Sequence, residues 1–503
     1  MNFYSAGGRR LPAEFVILYE RQESALAFTF SGGIHVREYK ITRKCPIEPV
    51  TPPKTVRIPL SQHIGVQCVP VVAKGDRVLR GQLIGRVEKG LGCPVHSSVS
   101  GTVADIVERG SATGAKITDI VIENDYEDEV DPSVQPFSGS LLETTPEQII
   151  EAVKNAGISG MGGATFPTYA KIQSALGKVD TMIVNCAECE PFITANHRLL
   201  LERPASVING AKILLRALGL DEIVFAVEDN KLDAANLLER FAAQSDVVTV
   251  KIVKTKYPQG DERQLIYALT RRMIPAGKLP ADVGCVVFNA ETCAAVYNAF
   301  STGLPLVERI VTVSGDCVKN PKNLQVPIGT PYSDLFEHCG GFTDEPFEII
   351  NGGPMMGQAV WDYDTPVTKG TSAVLALSKE ITARFNDDPV CIHCGRCVKG
   401  CPMHLLPNYL AMFARADDFD ECEKYNALSC VECGCCTYSC PGHVPIVQYI
   451  RIAKGKIQEK LRAAKLAAAS SAKPAEPPKQ EAKKEETPAA PEENKKESEG
   501  TAK

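Results

Sequence analysis

The sequence lacks several features that mark large classes of protein. No stretch of its 503 residues approaches the ~18 uninterrupted apolar residues that a membrane-spanning helix needs. The N-terminal segment lacks the apolar core of a signal peptide. The chain also has no excess of basic residues, since its net charge is −6, and this argues against nucleic acid as a partner. These absences predict a cytoplasmic protein that reaches a membrane only through partners.

Cysteine, in contrast, is abundant. The chain has 19 cysteines, which in a cytoplasmic protein indicate metal or redox chemistry before disulfides. Ten of them fall between Cys391 and Cys440, a distribution that a disulfide scaffold would not have. Most of the others are interpreted as ordinary core residues; these are Cys45, Cys68, Cys93, Cys285, Cys293, Cys317 and Cys339.

Two copies of one cysteine motif occupy the C-terminal region. Each copy has three cysteines spaced by two residues and a fourth directly before a proline. Such a run offers three thiolates to one [4Fe–4S] cluster, and the fourth cysteine ligates the other cluster. The spacing predicts one cluster on Cys391, Cys394, Cys397 and Cys440, and a second on Cys430, Cys433, Cys436 and Cys401. Cys422 and Cys435 remain as non-ligands. Structural zinc is the competing interpretation, but zinc modules usually pair two cysteines from each of two separated knuckles.

The segment from about Val66 to Asp105 alternates apolar and polar residues, with turn signals around Gly75 and Gly81. It resembles the small β-sandwich of biotinyl and lipoyl carrier domains. The turn that carries a modified lysine in those domains corresponds here to His96-Ser97-Ser98-Val99, which has no lysine. We therefore expect a structural domain and not a carrier.

Between about Thr145 and Gly303, short runs rich in β-branched residues alternate with helix-like stretches. The runs lie at Thr181–Val184, Ile223–Val227, Val247–Val253 and Val283–Phe288. This alternation predicts a parallel sheet with helices on its faces. Ligands bind such sheets where loops leave the C-terminal ends of the strands.

Four loops of this region are candidates for a ligand site. The first is rich in glycine, which lets backbone N–H groups approach a phosphate at a helix N-terminus, although an ordinary turn is the competing interpretation. It contains Gly160, Gly162, Gly163 and Phe166 and precedes a helix with Lys171, which could reach a phosphate or a flavin edge.

The other three loops follow strands. The second carries Asn185, Glu188 and Glu190, whose carboxylates suit ribose hydroxyls or a flavin ring. Its Cys186 and Cys189 could instead bind a metal. The third and fourth loops contribute Tyr257, Gly260, Glu262, Asn289, Glu291 and Thr292. Asn289 and Thr292 could equally serve only to cap a helix.

Two further segments complete the chain. Residues 308–357 form a predicted α+β unit that resembles the β-grasp modules called soluble-ligand-binding domains. After the cysteine motifs, apolar residues at helical spacing predict an amphipathic helix that packs behind the clusters; they are Ile446, Ile450, Ala453, Ile457 and Leu461. From about Ala464 the composition predicts disorder.

Together the four loops resemble the flavin- and NADH-binding subunit of respiratory complex I. Two positions differ, because that subunit has arginine where Met161 stands and aspartate where Ala187 stands. That subunit also ends in one [4Fe–4S] cluster, whereas the two cysteine motifs of this sequence predict two clusters. The succession of a lipoyl-like domain, a flavin domain, a β-grasp unit and a two-cluster module instead resembles the C subunit of the Rnf electron-transport complex.

The resemblance implies a multidomain α/β and α+β fold. The predicted domains are a lipoyl-like β-sandwich (1–135), an α/β FMN/NADH domain (136–305), a β-grasp domain (306–365), a helical ferredoxin-like domain with two [4Fe–4S] clusters (366–463) and a disordered tail (464–503). Cofactors and partners also follow: FMN, NAD(H), two [4Fe–4S] clusters, the membrane subunits of the complex and, indirectly, ferredoxin.

By the same resemblance, the protein is the NAD(H)-facing subunit of a ferredoxin:NAD⁺ oxidoreductase that translocates Na⁺ or H⁺, peripheral on the cytoplasmic face. Glu188 and Glu190 match carboxylates near FMN and NADH, and Phe166 matches a residue beside the nicotinamide or adenine. The residues that match positions lining FMN are Gly162, Gly163, Lys171, Asn185, Asn289 and Thr292. Ala187 cannot make the bond of its counterpart, which implies weaker flavin binding than in complex I.

Two other functions remain open at this point. A soluble cobalamin reductase would share the flavin, β-grasp and two-cluster modules. A ferredoxin-like electron wire or assembly scaffold would have a vestigial nucleotide site, and its spectrum would not respond to NADH.

Overall fold

The computed structural model describes residues 28–110, 116–140, 143–243, 245–382 and 389–471. The chain divides into two compact units, Met1–Lys454 and Gly455–Lys503. The sheets and both cysteine motifs belong to the first unit. None of the helices in the described ranges is long and apolar enough to cross a membrane.

The predicted N-terminal domain consists of two small antiparallel sheets. One comprises, in order, Thr55–Pro59, Lys116–Asn124, Gly101–Gly110 and Arg77–Val78, and the other Val69–Pro70, Leu83–Arg86 and Val95–His96. Side chains alternate along each strand, so Val56 and Ile58 point into the core opposite Ile122 and Ile120. Within the segment 66–105, where alternation predicted strands, Val78, Ile84, Val95 and Val103 lie on strands and are buried, which confirms that prediction.

The turn at residues 96–99 is buried instead of standing free. Ser97, Ser98 and Val99 are at most 3% exposed, and Ser98 Oγ donates a 2.5 Å hydrogen bond to the carbonyl of Ile328. A carrier turn has to move through solvent, so this fixed turn agrees with a structural role.

A parallel sheet of four strands forms the second domain, as predicted. Its order is Val248–Val253, Ile223–Glu228, Thr181–Asn185 and Cys285–Asn289. Its helices are Pro146–Asn155, Thr168–Ala175, Ala195–Glu202, Pro204–Leu218, Leu232–Ala242, Glu262–Thr270 and Ala290–Thr302, with short 3₁₀ turns at Asp229–Lys231 and Pro280–Val283. Because the strands are parallel and in register, Asn185 lies beside Asn289, and the second and fourth candidate loops leave the sheet at the same edge.

A mixed sheet of six strands corrects two predicted boundaries. Its order is Ile47–Pro49, Lys322–Pro327, Glu308–Ser314, Ala373–Leu377, Glu348–Asn351 and Gln358–Val360, and the helix Tyr332–His338 packs with it. Ala373–Leu377 lies inside the sheet, so this domain does not end at 365. Ile47–Pro49, predicted as part of the first domain, pairs with Lys322–Pro327. Neither strand could be assigned to this sheet from the sequence, because each pairs with strands that local sequence patterns do not connect to it.

Short helices surround the cysteine motifs. They are Arg396–Gly400, Pro407–Arg415, Phe419–Lys424 and Cys435–Tyr438, with a 3₁₀ turn at Ala427–Ser429. The final helix, Ile446–Ser471, begins where predicted, and Ile446, Ile450 and Ala453 are buried. It continues past Ala464, where disorder was predicted, because alanine and lysine favour a helix without a buried face. The remainder of the predicted tail lies outside the described residues.

Residues 28–45, which we call the N-terminal strap, contact both the α/β domain and the cysteine module. Ile34 pairs with Tyr257 through two backbone hydrogen bonds, and Gly33 N donates to Gly400 O. Farther along the strap, the Tyr39 ring stacks on Phe192 at 4.8 Å between centroids. The strap therefore joins parts of the protein that are more than 150 residues away in the sequence.

Candidate functional site

The glycine loop approaches the edge of the sheet closely. Gly160 N donates to Phe166 O at 2.8 Å, which closes the loop before the helix Thr168–Ala175. A Cβ atom on Gly162 would stand 2.9 Å from the side chain of Asn289, whereas one on Gly163 would meet nothing within 4 Å. The loop thus requires glycine at 162 for contact with the fourth loop, and it is open to a ligand at 163.

Lys171 reaches the C-terminal edge of the sheet. Its Nζ lies 3.0 Å from Val287 O and 3.3 Å from the Glu262 carboxylate, so it joins the first candidate loop to the third. The ammonium is part-exposed. It is therefore available to an anionic ligand at this edge.

Asn185 connects the second loop to the third. Its Nδ2 donates to Gly260 O at 2.8 Å, and its Oδ1 accepts from Ala187 N at 3.0 Å. Gly260 N in turn donates to Cys189 Sγ at 3.4 Å. Burial raises the pKa of the Cys186 and Cys189 thiols well above the usual range, so both are held as neutral thiols.

The two candidate carboxylates of the second loop bind to different elements. Glu188 is buried, and its oxygens accept from Asn196 N at 2.9 Å and His197 N at 3.4 Å, at the start of the helix Ala195–Glu202. A helix N-terminus stabilises a carboxylate in this position. Glu188 is thus satisfied by the protein itself.

Glu190 is the most perturbed carboxylate of the loop. Its oxygens accept from Tyr257 Oη at 3.2 Å and from Met355 N at 3.0 Å. Desolvation raises the pKa of Glu190 to about 7, despite these hydrogen bonds. A carboxylate that titrates near neutrality beside a ligand loop is a candidate functional group.

The third loop ends in a capped helix. The Asp261 carboxylate accepts from Arg263 N at 3.1 Å and Gln264 N at 3.2 Å, and desolvation raises its pKa to about 6. Before it, Tyr257 is only 1% exposed and bonds both to Glu190 and to the carbonyl of Cys433, at 2.8 Å. Tyr257 thus links the second and third candidate loops to a predicted cluster ligand.

The fourth loop bonds to the glycine loop and to the six-stranded sheet. Asn289 caps the helix Ala290–Thr302 by accepting from Glu291 N at 2.8 Å, and Thr292 Oγ1 accepts from Met161 N at 3.0 Å. The carboxylate of Glu291 forms a buried ion pair with Arg309 and also accepts from Ile310 N. Glu291, predicted to bind cofactor, thus anchors the α/β domain to the six-stranded sheet.

One residue that supports the second loop was missed by the sequence analysis. Lys40, in the N-terminal strap, donates to the carbonyls of Glu188, Glu190 and Ile193 at 2.7, 2.8 and 2.5 Å. Burial lowers the pKa of Lys40 despite the nearby Glu188 carboxylate. A single lysine in a segment without a pattern gives no sequence signal for this role.

The cysteines of the two motifs line two cavities. The first cavity has Cys391, Cys394, Cys397 and Cys440 in its wall, and the second has Cys401, Cys430, Cys433 and Cys436. The spacing rule groups the cysteines in the same crossed way. No three acidic, histidine or cysteine side chains of the described residues converge as one metal ion would require. The eight thiols are spread around the walls of the two cavities.

The two additional cysteines have other contacts. Cys422 is fully buried, and its thiol contacts the carbonyl of Leu410 at 3.6 Å, between two helices. Cys435 is also fully buried and lines the second cavity together with the four predicted ligands, with its thiol 3.9 Å from the carbonyl of Tyr257. Cys422 thus lies apart from the residues that line the two cavities, whereas Cys435 is a fifth cysteine in the wall of the second.

Family models match four consecutive parts of the chain. Their descriptions are "RnfC Barrel sandwich hybrid domain" for residues 28–127, "Nuo51 FMN-binding domain" for 153–298, "SLBB domain" for 310–359 and "4Fe-4S dicluster domain" for 390–445. The candidate loops fall in the second match and the two cavities in the fourth.

Curated relatives match the chain over most of its length. The C subunit of the Na(+)-translocating ferredoxin:NAD(+) oxidoreductase complex of Acetobacterium woodii is 44% identical over 85% of this chain and 97% of its own length. The C subunit of the proton-translocating complex of Clostridium ljungdahlii is 44% identical over 85% of this chain and 94% of its own. The C subunit of the ion-translocating oxidoreductase complex of Rhodobacter capsulatus is 41% identical, with 90% and 86% covered.

Proposed function

The chain belongs to the family formed by the C subunits of the ion-translocating ferredoxin:NAD(+) oxidoreductase complexes, and from this premise we propose that it is the NAD(H)-facing subunit of such a complex. It passes electrons between NAD(H), FMN and two [4Fe–4S] clusters. The complex couples this transfer to movement of Na⁺ or H⁺. The observation that carries the proposal is the direct bonding of the four candidate loops to one another and, through Tyr257, to the second cavity.

The residues at the edge of the sheet fit FMN. The glycine loop is open at Gly163, and Lys171, Asn185 and Asn289 place a cation and two amides around the same edge. The residues proposed to hold FMN are Gly160, Gly162, Gly163, Phe166, Lys171, Asn185, Tyr257, Gly260, Glu262, Asn289 and Thr292. Glu291 is left out because Arg309 and Ile310 occupy its carboxylate.

FMN would supply the exchange between a two-electron hydride carrier and one-electron clusters. The chain contributes binding and orientation. Glu190 is proposed to contact NAD(H), because it is the half-buried carboxylate with a pKa near neutrality. Glu188 supports the same loop from behind by its bonds to the helix Ala195–Glu202.

The proposed place of the protein is the cytoplasmic face of the membrane, docked on the membrane subunits of the complex. Names of the relatives, each the C subunit of a larger complex, support this arrangement. Electrons from ferredoxin reach the chain only through other subunits in this proposal.

An absorption spectrum of the anaerobically purified full chain tests the proposal. We expect flavin and iron–sulfur bands, and bleaching of both when NADH is added. Isolation from cell extracts should also bring down the membrane subunits. A protein without flavin bands, or one whose spectrum does not respond to NADH, would contradict the proposal and leave only the electron-wire interpretation.

A further inference from the structure

The two cysteine-lined cavities differ in their contacts with the four candidate loops, which we call the nucleotide loops. Tyr257 Oη lies 2.8 Å from the carbonyl oxygen of Cys433, which lines the second cavity, and 3.2 Å from Glu190 Oε1. A phenol has one proton to donate, so both acceptors share it. One buried hydroxyl group therefore touches both the nucleotide loop and the backbone of a predicted cluster ligand.

Three other contacts join the cysteine module around the second cavity to the rest of the first unit. Gln264 Nε2 lies 3.4 Å from Met403 Sδ, and Gly33 N of the strap donates to Gly400 O. Gly434 packs so closely on Met355 that a Cβ atom would stand 2.8 Å from its carbonyl oxygen. Met355 is also the residue whose N–H binds Glu190.

The first cavity has different surroundings. Among the described residues, its lining lies between Cys391 and Ile446 and that of the second cavity between Cys401 and Ile450, so the cysteine module lines both. Cys391 and Cys394 are exposed, and the apolar side chains of Val390 and Ile392 are 59% and 64% exposed. The first cavity therefore has two exposed cysteines in its described wall. Residues that line the second cavity instead contact other domains: Met403 and Cys433 touch the α/β domain, and Gly434 touches the six-stranded sheet domain.

We propose that the cluster of the second cavity is the one that exchanges electrons with the nucleotide site, that the cluster of the first cavity follows it, and that Tyr257 is the residue that positions the second cavity for this exchange. The inference rests on the proposed function. Each passage moves one electron: the accepting cluster is reduced, the donor is oxidised, and no bond is made or broken. Two passages consume the electron pair of one hydride.

Tyr257→Phe tests the positioning role, because it keeps the ring and removes only the hydroxyl. Hydrogen bonds near a cluster help to set its reduction potential. Without the hydroxyl group, the carbonyl oxygen of Cys433 loses a hydrogen-bond donor that offsets its partial negative charge. Negative charge near a cluster disfavours reduction, so the reduction potential of the second-cavity cluster should fall. The measurement is a mediated redox titration followed by electron paramagnetic resonance, which needs no NADH. Cys394→Ser and Cys430→Ser, each lacking one cluster, assign the signals.

Tyr409→Phe is the matched control, since Tyr409 lines the first cavity. It should leave the potential of the second-cavity cluster unchanged. A Tyr257→Phe protein that shifts only the first-cavity cluster, or neither cluster, overturns the positioning role.

The order of the clusters has an independent test. In Cys430→Ser, NADH should no longer reduce the first-cavity cluster, although dithionite still does. In Cys394→Ser, NADH should reduce the remaining cluster at the unmodified rate. Reduction of the first-cavity cluster by NADH at the unmodified rate in Cys430→Ser would overturn the order. If NADH reduces nothing in the unmodified protein, the proposed function fails, while the titration of Tyr257→Phe still decides the positioning role.

Discussion

Replacement of Glu190 by glutamine tests the nucleotide loop at its most perturbed carboxylate. The change keeps the size of the side chain and removes the charge that desolvation already disfavours. Glu190 accepts two hydrogen bonds, from Tyr257 Oη and Met355 N. Glutamine can accept from Met355 N, and its NH₂ group can donate to Tyr257 Oη, whose own proton then goes to the Cys433 carbonyl. The change therefore removes the charge and leaves the loop bonded.

The size of the effect follows from the lost charge. A hydrogen bond to a charged group contributes about 1.5–3 kcal/mol, compared with about 0.5–1.5 kcal/mol for a neutral one, and each 1.36 kcal/mol corresponds to about a tenfold change in rate. Because the contact with NADH would lose about 1–1.5 kcal/mol, we expect kcat/KM for NADH, with an artificial electron acceptor, to fall roughly 5- to 13-fold. Among the residues proposed to hold FMN, Tyr257 bonds to Glu190, and it keeps its hydrogen bond to the Cys433 carbonyl. FMN content should therefore stay the same.

The pH profile gives a second, sharper readout. Because the pKa of Glu190 is raised to about 7, the carboxylate that accepts both hydrogen bonds forms only as the pH rises through that value. NADH oxidation by the unmodified protein should thus increase from pH 6 to pH 8 with an inflection near pH 7. The Glu190→Gln protein, which resembles the protonated form, should lack this inflection.

Glu348→Gln is the matched control, because burial also raises the pKa of Glu348, which lies in the six-stranded sheet away from the loops. It should change neither kcat/KM nor the pH profile. If Glu190→Gln keeps the rate and the inflection of the unmodified protein, Glu190 has no part in NADH oxidation and the reasoning is refuted.

Three further predictions concern other parts of the molecule. The anaerobically purified chain should contain about eight iron and eight sulfide, and Cys401→Ala should damage the cluster of Cys430, Cys433 and Cys436; loss of the other cluster alone, seen by electron paramagnetic resonance, would contradict the crossed assignment. Lys40→Met removes three hydrogen bonds to the second loop and should raise the KM for NADH about tenfold or more, whereas the exposed Lys44→Met should not; equal KM values in steady-state assays would exclude a positioning role for Lys40. Removal of residues 472–503, whose composition offers no apolar anchor and no basic cluster, should leave the spectrum, NADH oxidation and membrane association intact; a truncated protein found in the soluble fraction, with its partners in the membrane, would show that the segment is a docking element.

The sequence predicted best those parts of the site that local patterns define. The four strands of the parallel sheet carry β-branched runs, and the C-terminal ends of parallel strands meet at one edge. The candidate loops therefore had to come together, as the contacts of Lys171 with Glu262 and of Asn185 with Gly260 show. The spacing of the cysteines likewise predicted which of the eight motif thiols line the same cavity.

The parts that could not be predicted depend on distant pairing. Arg309 neutralises Glu291 from a strand of another domain, and Ala373–Leu377 completes a sheet after a linker-like segment. The partners of Glu188 and Glu190 differ although the residues are two positions apart, because the loop turns between a helix N-terminus and the Met355 backbone. No local periodicity records such contacts.

The proposed nucleotide site depends on the N-terminal strap as well as on the α/β domain. Lys40 holds the second loop, and Ile34 pairs with Tyr257, yet both precede the α/β domain in the chain, and Lys40 lies 148 residues before Glu188. A fragment cut at the domain limits 136–305 would keep the glycine loop and lose these two supports. The α/β domain therefore cannot be moved alone into another protein with all the contacts of its loops. Transplanted into another protein, it would need residues 28–45 supplied as a separate piece, and engineered fusions should begin from the complete first unit.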